Sequence, residues 1–171
     1  YPSYMETLHN YNDRVKEFDR LLTPLNAKYD YVIIDIPPTI SLITDSALYA
    51  SDYCLIVMQT HEHSFEGAEA FIKYIQEEVI DEYQAPRLEL VGILAVLLQA
   101  GAPVDEATVA NAISEFGEEN LFKTRIHSMQ RLKRYGITGI TFKSKFDKRV
   151  FAVYKDVTDE LLKRIEVIEH G

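Results

Sequence analysis

The 171-residue chain contains a single cysteine, Cys54, and no tryptophan. One cysteine excludes an internal disulfide, and this usage fits a protein of a reducing cytoplasm. No apolar run approaches the ~18 residues that are needed to cross a membrane. The first residues also lack the pattern of a secretory signal peptide. The sequence therefore predicts a globular chain that does not rely on a membrane or on disulfides.

Glycine is sparse as well, with seven residues scattered along the chain. None of them forms the spacing Gly-x-x-x-x-Gly-Lys-[Ser/Thr] that cradles phosphates. The Gly-x-Ser-x-Gly elbow of serine hydrolases is absent too, and no histidine stands in a motif with the cysteine. No catalytic residue can therefore be assigned from a motif. The apolar share of 47% is ordinary for a globular protein, and we expect one domain over residues 1–171.

Charge is distributed unevenly along this acidic chain. The net charge is −9, but residues 123–149 alone carry +8, so the remainder carries −17. Overall acidity argues against indiscriminate nucleic-acid binding, whereas a local basic block permits a polyanion to dock. A solvated face neutralised by the acidic remainder is the alternative. The basic block, which contains one acid at Asp147, consists of Lys123, Arg125, Arg131, Lys133, Arg134, Lys143, Lys145, Lys148 and Arg149.

The stretch Tyr29–Thr39 joins an apolar run to a proline stop. Its β-branched centre has no polar alternation, which predicts a strand over residues 31–36 that is buried on both faces of a parallel sheet. Asp35 closes the run, and Pro37 and Pro38 end the strand. A carboxylate at this end of a strand is well placed to hold a metal ion or a water beside a bound phosphate. An aspartate that only caps the next turn is the alternative.

Periodicity along the rest of the chain predicts alternating helices and strands. Apolar residues three and four positions apart predict helices over residues 3–26, 42–50 and 65–82, a helix from Asp105 to about Gly117, and a final helix from Asp147. Further strands are predicted over residues 53–59, 88–98 and 121–126. This order implies right-handed crossovers and an α/β fold, in which helices cover both faces of a parallel sheet.

The segment Thr60-His61-Glu62-His63-Ser64 invites a zinc interpretation. The His-x-His spacing occurs in metal sites, but a site needs three or four ligands, and the other histidines are remote in sequence. We favour a polar loop between a strand and a helix, with Ser64 as the helix cap.

Several segments together resemble the ParA-type partition ATPases, which are relatives of the MinD cell-division ATPases. Asp-x-Pro-Pro-[Ser/Thr] after an apolar strand is similar to the magnesium-site motif of that family. The late sequence Ile126-His127-Ser128-Met129 departs from the family's Ile-Pro-Arg-Asn. The resemblance extends from Tyr29 to about Leu162, and its other matching segments are Thr44, Ser46–Asp52, Leu55–Gln59, Phe65–Gly67, Phe122–Thr124, Ile126 and Arg131–Leu132.

The resemblance implies a deviant P-loop NTPase-like fold that is incomplete at its N-terminal side, because the family's phosphate loop precedes the Asp-x-Pro-Pro motif. We therefore expect the C-terminal two-thirds of a longer nucleotide-binding domain, inactive on its own. The implied cofactors are ATP and magnesium. In that site Asp35 would hold magnesium through a coordinated water, and Pro37 and Pro38 would flank the nucleotide.

The resemblance also implies how the whole protein works. ATP would drive homodimerisation, and the dimer would bind DNA without sequence preference through the basic block. A partner protein bound at a centromere-like site would trigger hydrolysis, and plasmid or chromosome copies would be segregated. The expected location is cytoplasmic and nucleoid-associated, with no membrane.

Two other functions are compatible with the same resemblance. The fold could serve as a nucleotide-free adaptor or DNA-binding platform, which a phosphate loop in the full-length protein would argue against. A MinD-like membrane-cycling ATPase would need a final amphipathic helix with basic residues opposite a bare apolar face. The last predicted helix instead carries several acids on its polar side, including Asp156, Asp159 and Glu160.

Overall fold

The structure is a computed structural model that describes residues 11–37, 39–60, 62–83, 85 and 87–171. Predicted features at residues 3–10, Pro38 and His61 lie outside this part. The elements in chain order are α1 Tyr11–Asn26, α2 Leu42–Tyr49, β1 Tyr53–Gln59, α3 Glu62–Tyr74 continued by a π-helix Ile75–Glu82, β2 Glu89–Leu98, α4 Pro103–Phe116, a 3-10 turn Glu118–Asn120, β3 Ile126–His127, α5 Gln130–Thr138 and α6 Lys145–His170.

The chain divides into two compact units. The first unit contains residues 1–54 and 70–89, and the second contains residues 55–69 and 90–171. The expectation of a single domain stays a prediction. In the part of the chain that the structure describes, no helix is both long and apolar enough to cross a membrane.

In the first unit, helices α1 and α2 pack together and share a small apolar core. Val15 of α1 and Leu48 of α2 are buried, as is Val79 of the π-helix that follows α3. Helix α2 begins at a serine cap, because the hydroxyl of Ser41 accepts a hydrogen bond from the amide of Thr44. This cap fixes the start of α2 directly after the Asp-x-Pro-Pro-Thr sequence.

The second unit contains most of a three-stranded sheet with the order β1-β2-β3. Strand β2 is its most buried element and runs parallel to β3, with Val96 beside Ile126 and Leu98 beside His127. The predicted fourth strand is short: residues 121–125 contribute a single bridge, between Leu121 and Ile93, before β3 begins.

The strand predicted over residues 31–36 is not formed. This segment has no helix or strand assignment, and Ile33 is 93% exposed, so the expectation of a doubly buried strand was wrong. A strand exists only where a neighbour accepts and donates its backbone hydrogen bonds. The described residues supply no such neighbour, since the backbone hydrogen bonds outside the regular elements include none from residues 31–36. The apolar composition was recognised correctly, but its burial needs a partner strand.

Candidate nucleotide site and basic surface

Asp35 is a carboxylate that no described residue engages. Its side chain is exposed, and within the described residues it makes no hydrogen bond or ion pair. Pro37 lies two residues further on and is exposed, in backbone without a helix or strand assignment, while Pro38 lies outside the description. The donor chemistry fits magnesium, because Mg²⁺ typically takes one or two protein carboxylates and completes its shell with phosphates and water. Asp35 could therefore contribute one oxygen ligand or orient a coordinated water.

The backbone after Asp35 is anchored to helix α2. The hydroxyl of Thr44 donates a hydrogen bond to the carbonyl of Thr39, and Ser41 caps the helix between them. These bonds fix the chain four residues after Asp35. The Thr39–Thr44 hydrogen bond thus holds the backbone at the end of the Asp-x-Pro-Pro-Thr sequence against the start of α2.

Asp45, next to this anchor, is a buried carboxylate that the sequence pattern did not single out. It is 1% exposed and accepts hydrogen bonds from the hydroxyls of Tyr11, at 2.6 Å, and Tyr74. Partial burial, together with these bonds to Asp45, raises the pKa of both tyrosines, so they remain protonated donors. Asp45 therefore holds α1 and the end of α3 against α2, and each of its two oxygens already accepts a hydrogen bond. The only signal in the sequence was its place in a short helix of otherwise buried residues.

At the carboxyl ends of β2 and β3 a loop leads into the basic block. The amide of Ser128 donates to the carbonyl of Leu98 at 2.8 Å, which ties the start of this loop to the sheet. The backbone of Leu97 has a φ of 61°, a left-handed conformation that is unusual for leucine, and the pairing register shifts at this point. The short loop after β3, at residues 128–129, leads directly into α5, which carries three of the basic residues.

The nine basic residues of the block do not form one equivalent set. Eight are exposed, and within the described residues none of these eight makes an ion pair with an acid. The eight exposed residues are distributed before β3 (Lys123, Arg125), in α5 (Lys133, Arg134), in the α5–α6 loop (Lys143) and in the first turns of α6 (Lys145, Lys148, Arg149).

Arg131 is the exception, because it is committed to the interior. Its Nε donates to Asp147 Oδ1 at 2.5 Å, and its Nη2 donates to Thr141 Oγ1 at 2.7 Å. Asp147 is fully buried and also accepts from the hydroxyl of Tyr135 at 2.7 Å and the amide of Ser144 at 2.9 Å. The Arg131 hydrogen bond is the main cause that lowers the pKa of Asp147. Arg131 thus ties α5 to the start of α6, which does not suit the predicted DNA contact.

Helix α6 also fixes the segment that carries Lys123. The carboxylate of Glu160 accepts from the amides of Lys123, at 2.8 Å, and Thr124, at 2.9 Å. One turn later, Arg164 donates to the carbonyls of Val91, Glu119 and Leu121. Sequence reasoning missed both residues, because an i, i+4 Glu–Arg pair on a helix usually indicates a solvated face.

The structure supplies no zinc site among the residues it describes, where no cluster of three or more potential ligands occurs. Helix α3 already begins at Glu62, so the expected polar loop through Ser64, with Ser64 as the helix cap, was wrong. His61 lies outside the description. Burial raises the pKa of the Cys54 thiol to about 11, which disfavours a thiolate nucleophile.

Comparisons with known proteins identify the family of the chain. The family described as an AAA domain (AAA_31) matches residues 3–90. A chromosome partitioning protein ParA of Myxococcus xanthus is 31% identical over 112 residues, which is 66% of this chain and 39% of that protein.

Two solved structures share the fold. Apo McdA of Cyanthece superposes with a TM-score of 0.74 at 16% identity, over 95% of this chain and 62% of that one. A cobyrinic acid a,c-diamide synthase of Mycobacterium smegmatis, solved with ADP and magnesium, gives a TM-score of 0.63 at 19% identity, over 83% of this chain and 62% of that one. The chain spans less than two thirds of each of these three proteins.

The fold is therefore an α/β fold of the P-loop NTPase-like class, as the sequence predicted. Within that class, the chain belongs to the ParA-type family of partition ATPases. Both the fold class and the family resemblance inferred from the residues are confirmed.

Proposed function

We propose that the whole protein is an ATPase that partitions DNA, with ATP-dependent homodimerisation and hydrolysis stimulated by a centromere-binding partner protein. The observation that carries the proposal is Asp35, an exposed carboxylate without a partner among the described residues, at the head of an Asp-x-Pro-Pro-Thr sequence in a chain of this family. Plasmid DNA is the cargo that we favour. Residues 1–171 do not include a phosphate-loop sequence, so we propose that they do not hydrolyse ATP alone.

The proposed role of Asp35 is to orient water bound to magnesium. When bound, magnesium supplies positive charge that offsets the developing charge on the β- and γ-phosphates. Asp35 needs free lone pairs for this task, and no described residue donates a hydrogen bond to its exposed side chain. Pro37 and the Thr39–Thr44 hydrogen bond restrict the backbone that carries it.

The proposed DNA surface consists of the eight exposed residues of the basic block. Phosphate contacts from lysine and arginine give affinity that does not depend on base sequence, which suits a protein that moves over bulk DNA. The rest of the chain is strongly acidic, so this surface would be the part that a nucleoid attracts. Arg131 is left out of the proposal because Asp147 and Thr141 already occupy its guanidinium.

The test is ATP turnover by the full-length protein carrying Asp35→Ala. We expect turnover to fall by orders of magnitude while the circular dichroism spectrum stays that of the wild type, because the side chain makes no contact that the fold needs. Asp30→Ala, which removes an exposed acid five residues earlier, is the matched control and should keep wild-type turnover. Wild-type turnover in folded Asp35→Ala would refute the assignment, and absent turnover in the unmodified protein would favour a nucleotide-free adaptor.

A further inference from the structure

The segment from Lys133 to Arg149, which we call the α5–α6 surface, exposes large apolar side chains. Ile137 is 89% exposed, Phe142 71%, Ile140 69% and Phe146 59%. Isolated exposed apolar residues need no explanation, but four within ten positions form a candidate interaction site. Contacts with phosphates alone would make no use of these side chains.

The charge of the same surface selects an anionic partner. Six lysines and arginines occur between residues 133 and 149, all exposed and without an ion pair to a described acid. Asp147, the single acid in this range, is buried and neutralised by Arg131. The surface therefore presents about six unopposed positive charges beside its apolar side chains.

The aromatic rings are arranged in a way that suits bases. The ring of Phe142 stacks on that of Phe151, with centroids 4.2 Å apart and planes 15° from parallel. Phe151 covers one face of Phe142, so the exposed remainder includes the opposite face. The ammonium of Lys145 lies 5.4 Å from the ring centroid of Phe146. A cation thus lies beside one of the two exposed rings, and proteins combine cations and aromatic rings in this way to hold successive phosphates and bases of a single strand.

We propose that the α5–α6 surface binds single-stranded DNA, with bases stacked on Phe142 and Phe146 and phosphates held by the neighbouring lysines. A duplex hides the faces of its bases, so it can use only the charges. The inference deepens the proposed function, since it assigns a preferred form of DNA to the same basic surface.

An anionic membrane is the competing partner, because isoleucine and phenylalanine beside lysine also suit a lipid interface. The stacked Phe142–Phe151 pair favours DNA, since a flat ring with one open face gains specifically from another π-face. Lipid insertion depends mainly on apolar area, which leucine largely keeps. Replacing phenylalanine by leucine separates the two partners, because leucine keeps apolar bulk and removes the ring.

The experiment compares the unmodified full-length protein with Phe142→Leu/Phe146→Leu and Lys143→Ala/Lys145→Ala. Binding of oligothymidine of about 16 nucleotides, of a duplex of the same length, and of phosphatidylserine–phosphatidylcholine vesicles is measured over a range of salt. We expect the unmodified protein to prefer oligothymidine. The leucine variant should bind oligothymidine about fivefold to a hundredfold more weakly while its salt slope and duplex affinity stay unchanged. The lysine variant should bind both DNAs more weakly, with smaller salt slopes.

Three results would overturn the inference: preference for the duplex, wild-type oligothymidine affinity in the leucine variant, or preferential vesicle binding that survives the leucine changes. Duplex binding with a normal salt slope would leave the proposed DNA function intact, whereas failure to bind either DNA would refute both. If the altered packing against Phe151 unfolds the double variant, the same binding measurements are made with Phe146→Leu alone, and its oligothymidine affinity decides the question. The ring of Phe146 has no ring–ring contact among the described aromatic residues.

Discussion

At the scale of single residues, two basic side chains that look alike in sequence differ completely in role. Arg131 and Lys133 both lie in a basic run, yet only Arg131 reaches Asp147, sixteen residues later. From the sequence alone, Asp147 could be recognised only as a residue near the start of the final helix, and not as the acceptor of the Arg131 side chain. Asp35 was easier to single out, because its proposed role depends on neighbouring residues that form a recognisable motif.

Removing the Arg131 side chain should destabilise the fold. Arg131→Ala leaves the buried carboxylate of Asp147 without its main donor, and an uncompensated buried charge is costly. We expect a clearly lower thermal midpoint, measured by circular dichroism. Lys133→Ala, an exposed change on the same helix, should stay close to the wild type. Equal midpoints for the two variants would show that the Arg131–Asp147 pair does not support the fold.

Stability should fall in acid because two carboxylates have depressed pKa values. Hydrogen bonding, chiefly from Arg131, lowers the pKa of Asp147. Burial opposes the shift at Glu160, but the amides of Thr124 and Lys123 outweigh it, so its pKa is lowered too. The folded state then binds fewer protons than the unfolded state near the ordinary carboxyl pKa of about 4. Their stabilisation is complete above that range, begins to fall as the pH drops below it, and is lost only as the pH falls through the lower pKa values of the folded state.

The measurement is the free energy of unfolding in urea between neutral pH and about pH 3. We expect the gap between the wild type and Asp147→Asn to narrow as the pH falls, because protonation of the unfolded wild type removes its advantage. Asp156→Asn changes an exposed acid on the same helix and should follow the wild-type curve. If the difference in the free energy of unfolding between the wild type and Asp147→Asn does not change with pH, the lowered pKa of Asp147 is not a source of stability.

At the scale of elements, helices were predicted better than strands. The helix predicted over residues 42–50 is observed as Leu42–Tyr49, whereas the apolar run of residues 31–36 forms no strand. A helix satisfies its backbone internally, so periodicity in its own sequence is enough. A strand depends on a neighbour, which its own sequence does not contain. Residues 53–59 match their prediction in full, since β1 is part of the sheet.

Gly92 in β2 has a structural constraint that the sequence pattern of the strand does not reveal. In the sequence it is only a break in an apolar run, yet its φ is 145° and a Cβ there would lie 2.7 Å from the carbonyl oxygen of Asn120. We expect Gly92→Ala to cost about 1–3 kcal/mol in the free energy of unfolding, from backbone strain and this clash.

Gly136→Ala is the matched control for Gly92→Ala, measured in the same urea titrations. Gly136 lies in α5, and a Cβ there would have no heavy atom within 4 Å. Alanine should therefore be neutral or stabilise by about 0.5–1 kcal/mol, because it favours the helix. Equal stabilities of the two variants would show that the close approach to Asn120 is relieved without cost.

At the scale of the whole molecule, the distribution of charge governs what the protein attracts. Residues 123–149 carry +8 against −17 elsewhere, a division visible in the sequence. The sequence could not show that Glu160 and Arg164 fix the segment before β3, since those contacts join residues about forty positions apart. It also could not show that Arg131 faces inward. A phosphate-binding surface must therefore be tested at residues that the fold leaves free.

Lys133→Ala/Arg134→Ala provides that test, because both side chains are exposed and neither makes an ion pair with a described residue. If each side chain neutralises a phosphate, binding to duplexes of any sequence should weaken about equally, and the salt slope should fall by about 0.9 for each phosphate that the variant leaves unneutralised. The assay uses the full-length protein with ATP and magnesium, since a dimer would present both copies of the surface. Lys28→Ala/Lys163→Ala removes the same charge outside the basic block and should leave the slope as in the wild type. An unchanged slope in Lys133→Ala/Arg134→Ala would place the DNA-binding surface elsewhere, because counterion release depends only on the phosphates that are neutralised.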